Sequence, residues 1–285
     1  MGQHLGHALS LAAALVLGCA RPVDGEGSSE STSDLVASSV VRGQERAASL
    51  QGKTAVYDSA RCYSAVSYWH GMLGAPVDVS PRFVAEWMRS PLVSRVDAGD
   101  LLPGDVIAFG APGQAGVPLE HVAVINAQGE VFQKAGSPSE FPFEKLPWHE
   151  FVAKYPEVDA AHVYRVNDSL DAFLRKKGES MKVARDLSTR LAELEADLGK
   201  YTVVDIAWEG GSDEWAQEFS AKNTAVRAEA ESIQTEIQAR LDAPDLATDV
   251  AWVWRLLLER AASIQTIPDP FECSRATPAG ARSTC

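Results

Sequence analysis

Pro118–Ser137 reads PLEHVAVINAQGEVFQKAGS: a His at the mouth of an apolar run, a short polar turn, and a second short run with Gln133 inside it. Both runs are rich in Val and Phe, as strands are, and NAQGE between them suits a hairpin. If the loop is Ala127-Gln128-Gly129, with Gly129 in the left-handed position that three-residue loops favour, Asn126 pairs with Glu130 and Ala123 stands opposite Gln133. Side chains alternate along a strand, so His121, Ala123 and Gln133 then share a face, and Gln133 is a diagonal neighbour of His121. A two-residue loop would bring Lys134 to that face instead. A Gln carbonyl can hold an imidazole N–H whereas a Lys cannot, so the three-residue loop is expected, with Lys134→Ala nearly silent.

A His held this way can be structural, or it can be half of a catalytic pair whose nucleophile lies elsewhere. Upstream, Tyr57–Gly74 reads YDSARCYSAVSYWHGMLG. Asp58 and Ser59 are good N-cap residues, Ala65, Val66, Trp69, Met72 and Leu73 recur at helical spacing, and Gly74 is a natural stop. Cys62 is therefore expected in the first turn of a buried helix, where free N–H groups and the helix dipole lower a thiol pKa. The plainer reading makes Cys62 an inert core thiol, or the partner of a tail cysteine. Between the two segments, LLPGDVIAFG carries a Pro103-Gly104 turn and Asp105 leading into a strand over Val106–Phe109.

The Cys at a helix start, PGDVIAF, EHVAVI and a polar residue in the next strand together resemble the NlpC/P60 branch of the papain-like cysteine peptidases. The likeness runs from about Ala47 to Asn167 and closes on DAAHVYRV, Asp159–Val166, which resembles the family's final strand. It implies an α+β papain-like domain in which a Cys helix packs on a small antiparallel sheet. Cys62 is then the nucleophile, His121 the general base within reach of its Sγ, Gln133 the residue that orients the base, and Tyr57 a candidate oxyanion or substrate group. The implied chemistry is thiolate attack on a carbonyl, with His121 passing a proton to the leaving amine. Peptide stems of peptidoglycan, or another envelope peptide, are the implied substrate, and Gln133→Ala is expected to cost activity but little stability. Two departures stand in the chain. Arg61-Cys62-Tyr63-Ser64 replaces the family's Asp-Cys-Ser-Gly, and Gln133 stands where the family most often has His. CHAP-type amidases are resembled nearly as closely. A papain-like scaffold that binds without catalysis is the alternative.

The first residues point to export. Leu9–Leu17 is apolar apart from Ser10, too short for a membrane span of roughly 20 residues, and ends in Val16-Leu17-Gly18-Cys19. This resembles the lipobox of bacterial lipoproteins, although the leading MGQHLGHALS carries His4 and His7 and neither Lys nor Arg. Residues 1–18 are read as a signal, Cys19 as the lipidated anchor to the membrane, and 19–45 as a disordered tether rich in Ser, Gly and acid. The expected location is the cell envelope, with a secreted or periplasmic protein as the alternative. Of the four cysteines, Cys273 and Cys285 share a polar tail where a local disulfide is compatible with the spacing. The net charge of −13 argues against nucleic acid as a partner. No Cys/His cluster has zinc-ligand spacing, so neither metal nor cofactor is expected, and His70, His149 and His162 are read as structural or surface residues.

The pattern changes after the domain read at 46–167. In 168–265 Leu187, Leu191, Leu194 and Leu198 alternate at steps of four and three, a coiled-coil-like seam. Gly210-Gly211 breaks the chain, Ser212-Asp213 can cap a second helix with Phe219, Val226, Ile233, Ile237 and Leu241, and a third helix after Pro244 carries Val250, Trp254, Leu257 and Ile264. This part is expected to be a separate helical hairpin with a third helix across it, an arm on which a protein partner could dock, followed by an irregular tail over 266–285.

Overall fold

The computed structural model of the chain describes residues 32–56, 61–110, 120–135, 141–155, 161–207 and 211–267. Residues 1–18, read above as a signal, and Cys19, Tyr57, Cys273 and Cys285 all lie outside them. In chain order the elements are α1 (Thr32–Leu50), β1 (Lys53–Ala55), α2 (Cys62–Trp69), α3 (Pro81–Arg89), β2 (Val93–Val96), β3 (Val106–Phe109), β4 (His121–Ile125), β5 (Glu130–Lys134), β6 (Phe143–Pro147), α4 (Trp148–Lys154) and β7 (His162–Val166), then α5 (Leu170–Lys177), α6 (Lys182–Thr202), β8 (Val203–Asp205), α7 (Asp213–Leu241) and α8 (Ala251–Gln265). The architecture is mixed α+β with antiparallel sheets. Six strands run in the order β2-β7-β3-β4-β5-β6, and β1 pairs with β8 in a two-stranded sheet of its own.

The large sheet is covered on both faces, and strand alternation decides which residue goes where. Val106 and Ala108 of β3, Val122 and Val124 of β4, and Phe132 of β5 join the core that also holds Cys62, Val66 and Trp69 of α2. Ile107, Phe109, Ala123, Ile125 and Val131 point the other way, into a smaller core closed by Phe151 of α4, with Tyr155 packed against it. The turn before β3 is as expected. Gly104 adopts φ +91°, and buried Asp105 accepts from Leu102 N–H at 2.7 Å and from Arg165 Nε and Nη2 at 3.0 and 2.8 Å, tying β3 to β7.

Three expectations need correction. Residues 32–45 belong to α1 rather than to a disordered tether, and Val40, Ala47 and Leu50 on it are buried. The Cys helix ends earlier than Gly74: Trp69 is its last residue, and Gly71 at φ +72° supplies the left-handed stop. Gly74 has another job, since a Cβ there would stand 2.1 Å from the carbonyl oxygen of Ala192 on α6.

That close approach bears on the third correction. The helical half is not an arm set apart at residue 167, because the described residues form one compact unit. Leu187, Leu191 and Leu198 of α6 and Val253, Leu257 and Ile264 of α8 share one core with Val77, Phe83 and Trp87. Glu195 of α6 and Arg260 of α8 form a fully buried pair, Nε to Oε1 at 2.6 Å and Nη2 to Oε2 at 2.7 Å. Glu195 Oε2 also accepts from Gly74 N–H at 2.5 Å, and Arg260 Nη1 reaches Ser188 Oγ at 3.2 Å. The cap of α3 adds a second tie: Ser80 Oγ accepts from Phe83 N–H while Ser80 N–H donates to Ser263 Oγ on α8. As read from the chain, Ser212 caps α7 by accepting from Trp215 N–H at 3.2 Å.

Breaking a buried pair leaves the other charge uncompensated, so Arg260→Leu is expected to cost about 3–5 kcal/mol in urea denaturation, with the double change to apolar residues at 195 and 260 recovering part of the loss. A second expectation concerns acid. His70 packs edge-on against Trp69 and Trp87, with ring centroids 4.7 and 5.2 Å away, and its Nε2 is buried with no hydrogen-bond partner. Burial, aided by the Arg46 charge, pushes its pKa down to about 3. As pH falls below about 6.5 the unfolded chain takes up this proton first, so stability drops between pH 6.5 and 3, with a limiting slope of about 1.4 kcal/mol per pH unit from this group. His70→Phe is expected to lessen the acid sensitivity of denaturation midpoints relative to the natural chain. Identical acid limbs for the two proteins would show that His70 is protonated when folded.

Candidate active site

The hairpin carries the register that the three-residue loop requires. Gly129 sits at φ +73°, Asn126 N–H donates to the Glu130 carbonyl at 2.8 Å, and Val124 and Ile125 pair with Phe132 and Val131. Asn126 Oδ1 also accepts from the N–H groups of Gln128 and Glu130, which fastens the turn. Continuing the register sets Ala123 opposite Gln133, and the Gln133 side chain reaches His121. Gln133 Oε1 lies 2.7 Å from His121 Nε2.

That bond is the first of a chain. Gln133 Nε2 donates to Glu144 Oε1 at 2.8 Å, across the β5–β6 pair that sets the two residues opposite each other. Lys154 Nζ, at the end of α4, donates to the same Glu144 oxygen at 2.7 Å. Because the amide nitrogen is committed to a carboxylate, the Gln133 oxygen faces the ring and accepts its Nε2–H, leaving Nδ1 as the nitrogen with the lone pair. Tyr155 stacks on the imidazole at 4.8 Å and 14°, and Phe109 flanks it at 5.9 Å. Burial among these rings lowers the His121 pKa, with the Gln133 bond and the Glu144 charge working the other way, so the ring is neutral near pH 7.

Cys62 takes the place expected of it in the chain and not in chemistry. It is the first residue of α2, and Arg61 N–H donates to Ser64 Oγ at 3.3 Å just before it. Its thiol is free and buried. Burial pushes the thiol up to about 11, outweighing backbone hydrogen bonds at Val122 and Tyr63 and the charge of Arg61. The helix terminus therefore does not deliver the lowered pKa that its position suggests. The side chains that β4 contributes to the core with Cys62 are Val122 and Val124, and His121, one residue out of step, stands on the opposite face with Phe109 and Tyr155. No hydrogen bond joins Cys62 Sγ to either ring nitrogen among the described residues. The alternation that brings Gln133 to His121 is the same alternation that turns His121 away from the helix.

The sequence reading missed Glu144, Lys154 and Tyr155. Glu144 was within reach of the same register argument, since an antiparallel partner to β5 must set some residue opposite Gln133, but the connection to β6 has no hairpin signature to fix which. Lys134 is turned to the other face, as this register requires. Its side chain is fully buried on the Cys62 face, where Nζ donates to the Phe141 carbonyl at 2.8 Å and lies 5.8 Å from the centre of the Phe143 ring. Tyr57 lies outside the described residues. Among the described residues no group of three or more His, Cys, Asp or Glu side chains is arranged to hold a metal ion.

Compared with other proteins, the chain matches no family model, no curated protein and no solved structure.

Proposed function

We propose that the chain is an exported envelope protein that uses an NlpC/P60-like, papain-like scaffold to bind peptides rather than to cut them. The observation that carries this reading is the placement of Cys62 and His121 on opposite faces of β4. A thiol pushed up to about 11 supports it, because only a thiolate is an effective nucleophile and almost none exists at neutral pH. Gln133 fits a structural role equally well, since it is fully buried and joins β5 to both β4 and β6. The leading segment that ends in Cys19 supports anchoring at a membrane by lipid, and no described helix is long and apolar enough to cross one.

One observation favours a second reading, a peptidase or amidase of the same scaffold. His121 is held by its Nε2–H with Nδ1 left as the basic nitrogen, the state a general base needs.

Alkylation of Cys62 by iodoacetamide separates the two. The binding reading expects a rate that is slow at pH 7 and still rising at pH 10, unchanged by His121→Ala, with envelope peptides left intact. A rate that levels off below pH 8 and loses that plateau in His121→Ala, together with hydrolysis abolished by Cys62→Ala, establishes the peptidase instead. Stability supplies an independent check. Gln133→Ala removes two hydrogen bonds from buried groups and is expected to cost about 1–3 kcal/mol. Lys134→Ala, expected to be silent from the chain alone, is expected to cost a similar amount because it strips a fully buried side chain.

A further inference from the structure

A cavity of about 310 Å³ opens between the end of α5 with the turn that follows it, the end of α7 and the start of α8, far along the chain from the Cys and His segments. Its apolar wall is Met181, Leu246, Val250 and Trp254. Four charged side chains stand around it, and they differ in kind. Lys177 and Asp249 are paired with each other, Nζ to Oδ2 at 3.2 Å. Arg240, in the last turn of α7, and Asp245, in the connection to α8, line the same cavity and make no ion pair or side-chain hydrogen bond among the described residues, either with each other or elsewhere. The cavity thus has one open cationic group, one open anionic group and an apolar wall, at the small end of the volumes that ligand sites occupy.

From this arrangement we infer that the cavity binds a small zwitterion with an apolar side chain: a free amino acid, or the end-to-end zwitterion of a dipeptide. Arg240 receives the carboxylate, for which its planar fork is suited, and Asp245 receives the ammonium group. Met181, Leu246, Val250 and Trp254 take the apolar side chain. A simple anion would meet the Asp245 charge and a simple cation the Arg240 charge, so a ligand bearing both charges is favoured over either. The inference rests on the reading of the chain as a peptide-binding protein and gives that reading a place and a ligand class.

Calorimetric titration of the purified full chain tests it with three probes: leucine, alanyl-leucine, and N-acetyl-leucine amide, which keeps the side chain and loses both charges. Saturable binding is expected for leucine or alanyl-leucine, and the tighter of the two distinguishes an amino-acid site from a dipeptide site. N-acetyl-leucine amide is expected to bind at least tenfold more weakly. Arg240→Ala and Asp245→Asn are each expected to weaken binding at least tenfold without moving the melting temperature, and Glu231→Gln, an exposed change elsewhere on α7, is expected to leave it unchanged. The assignment is overturned by no heat of binding up to 10-fold above millimolar ligand, by equal binding of the blocked leucine, or by full binding in Arg240→Ala. Iodoacetamide kinetics at Cys62 report on the other site, so loss of the cavity assignment leaves the slow, alkaline alkylation intact, while a catalytic Cys62 leaves the titration standing.

Discussion

Glu195 and Arg260 hold the molecule together at a buried point. The pair joins α6 to α8, and through Gly74 N–H it fixes the connection between α2 and α3 against both. Such a pair gains its value from completeness: two parallel bonds between the ions, a third from a backbone donor, and a Ser on the far side of the guanidinium. With every lone pair and proton of consequence used, the pair defines one way for three helical layers to meet. Gly74 is required beside it because a Cβ there would occupy the place of the Ala192 carbonyl. Once these elements are locked, α8 becomes a central helix whose Val253, Leu257 and Ile264 serve the same core as α3.

The candidate site follows from a different constraint, the two-residue period of β4. Placing His121 beside Gln133 commits it to the side of the sheet covered by α4, where Tyr155, Phe109 and the Glu144–Lys154 pair surround it. The same period commits Val122 to Cys62. A helix start and a strand start can therefore be adjacent in the fold while the reactive atoms they carry face away from each other. The expected electrostatics of the helix terminus are overridden in the same place, because desolvation of a buried thiol outweighs the nearby backbone donors and Arg61.

Local features were legible in the chain. The NAQGE turn has one residue that tolerates a left-handed backbone at the needed position, and that decided the register of β4 and β5 and the contact between His121 and Gln133. Ser212 and the Pro103-Gly104 turn were readable for the same reason, since each satisfies a backbone requirement of its own neighbourhood. What could not be read was every decision made between distant segments. Gly74 and Gly71 look alike as helix stops, and only the approach of α6 separates their roles. The Leu seam of α6 says that a partner exists but does not say whether the partner is another arm or the sheet domain. Glu195 and Arg260 look like solvated surface charges in a run of Ala, Leu and Glu. The face to which Cys62 belongs depends on where α2 docks, and no residue spacing within either segment records it.

The two-stranded sheet of β1 and β8 ties positions 53–55 to positions 203–205. Val56 N–H continues it by donating to the Thr202 carbonyl at 2.8 Å. The ends of this small ribbon enclose the whole six-stranded sheet, so the ribbon is a loop closure of high contact order, formed only after α6 has left the ribosome. The nascent chain must hold part of the apolar face of α3 exposed until then, since Phe83 and Trp87 share their core with the later-made α8. Synthesis order and core order thus run against each other in this molecule. Its early-made half waits for its late-made half, which makes the interval between them the stage at which the chain is open to aggregation and to the attention of chaperones.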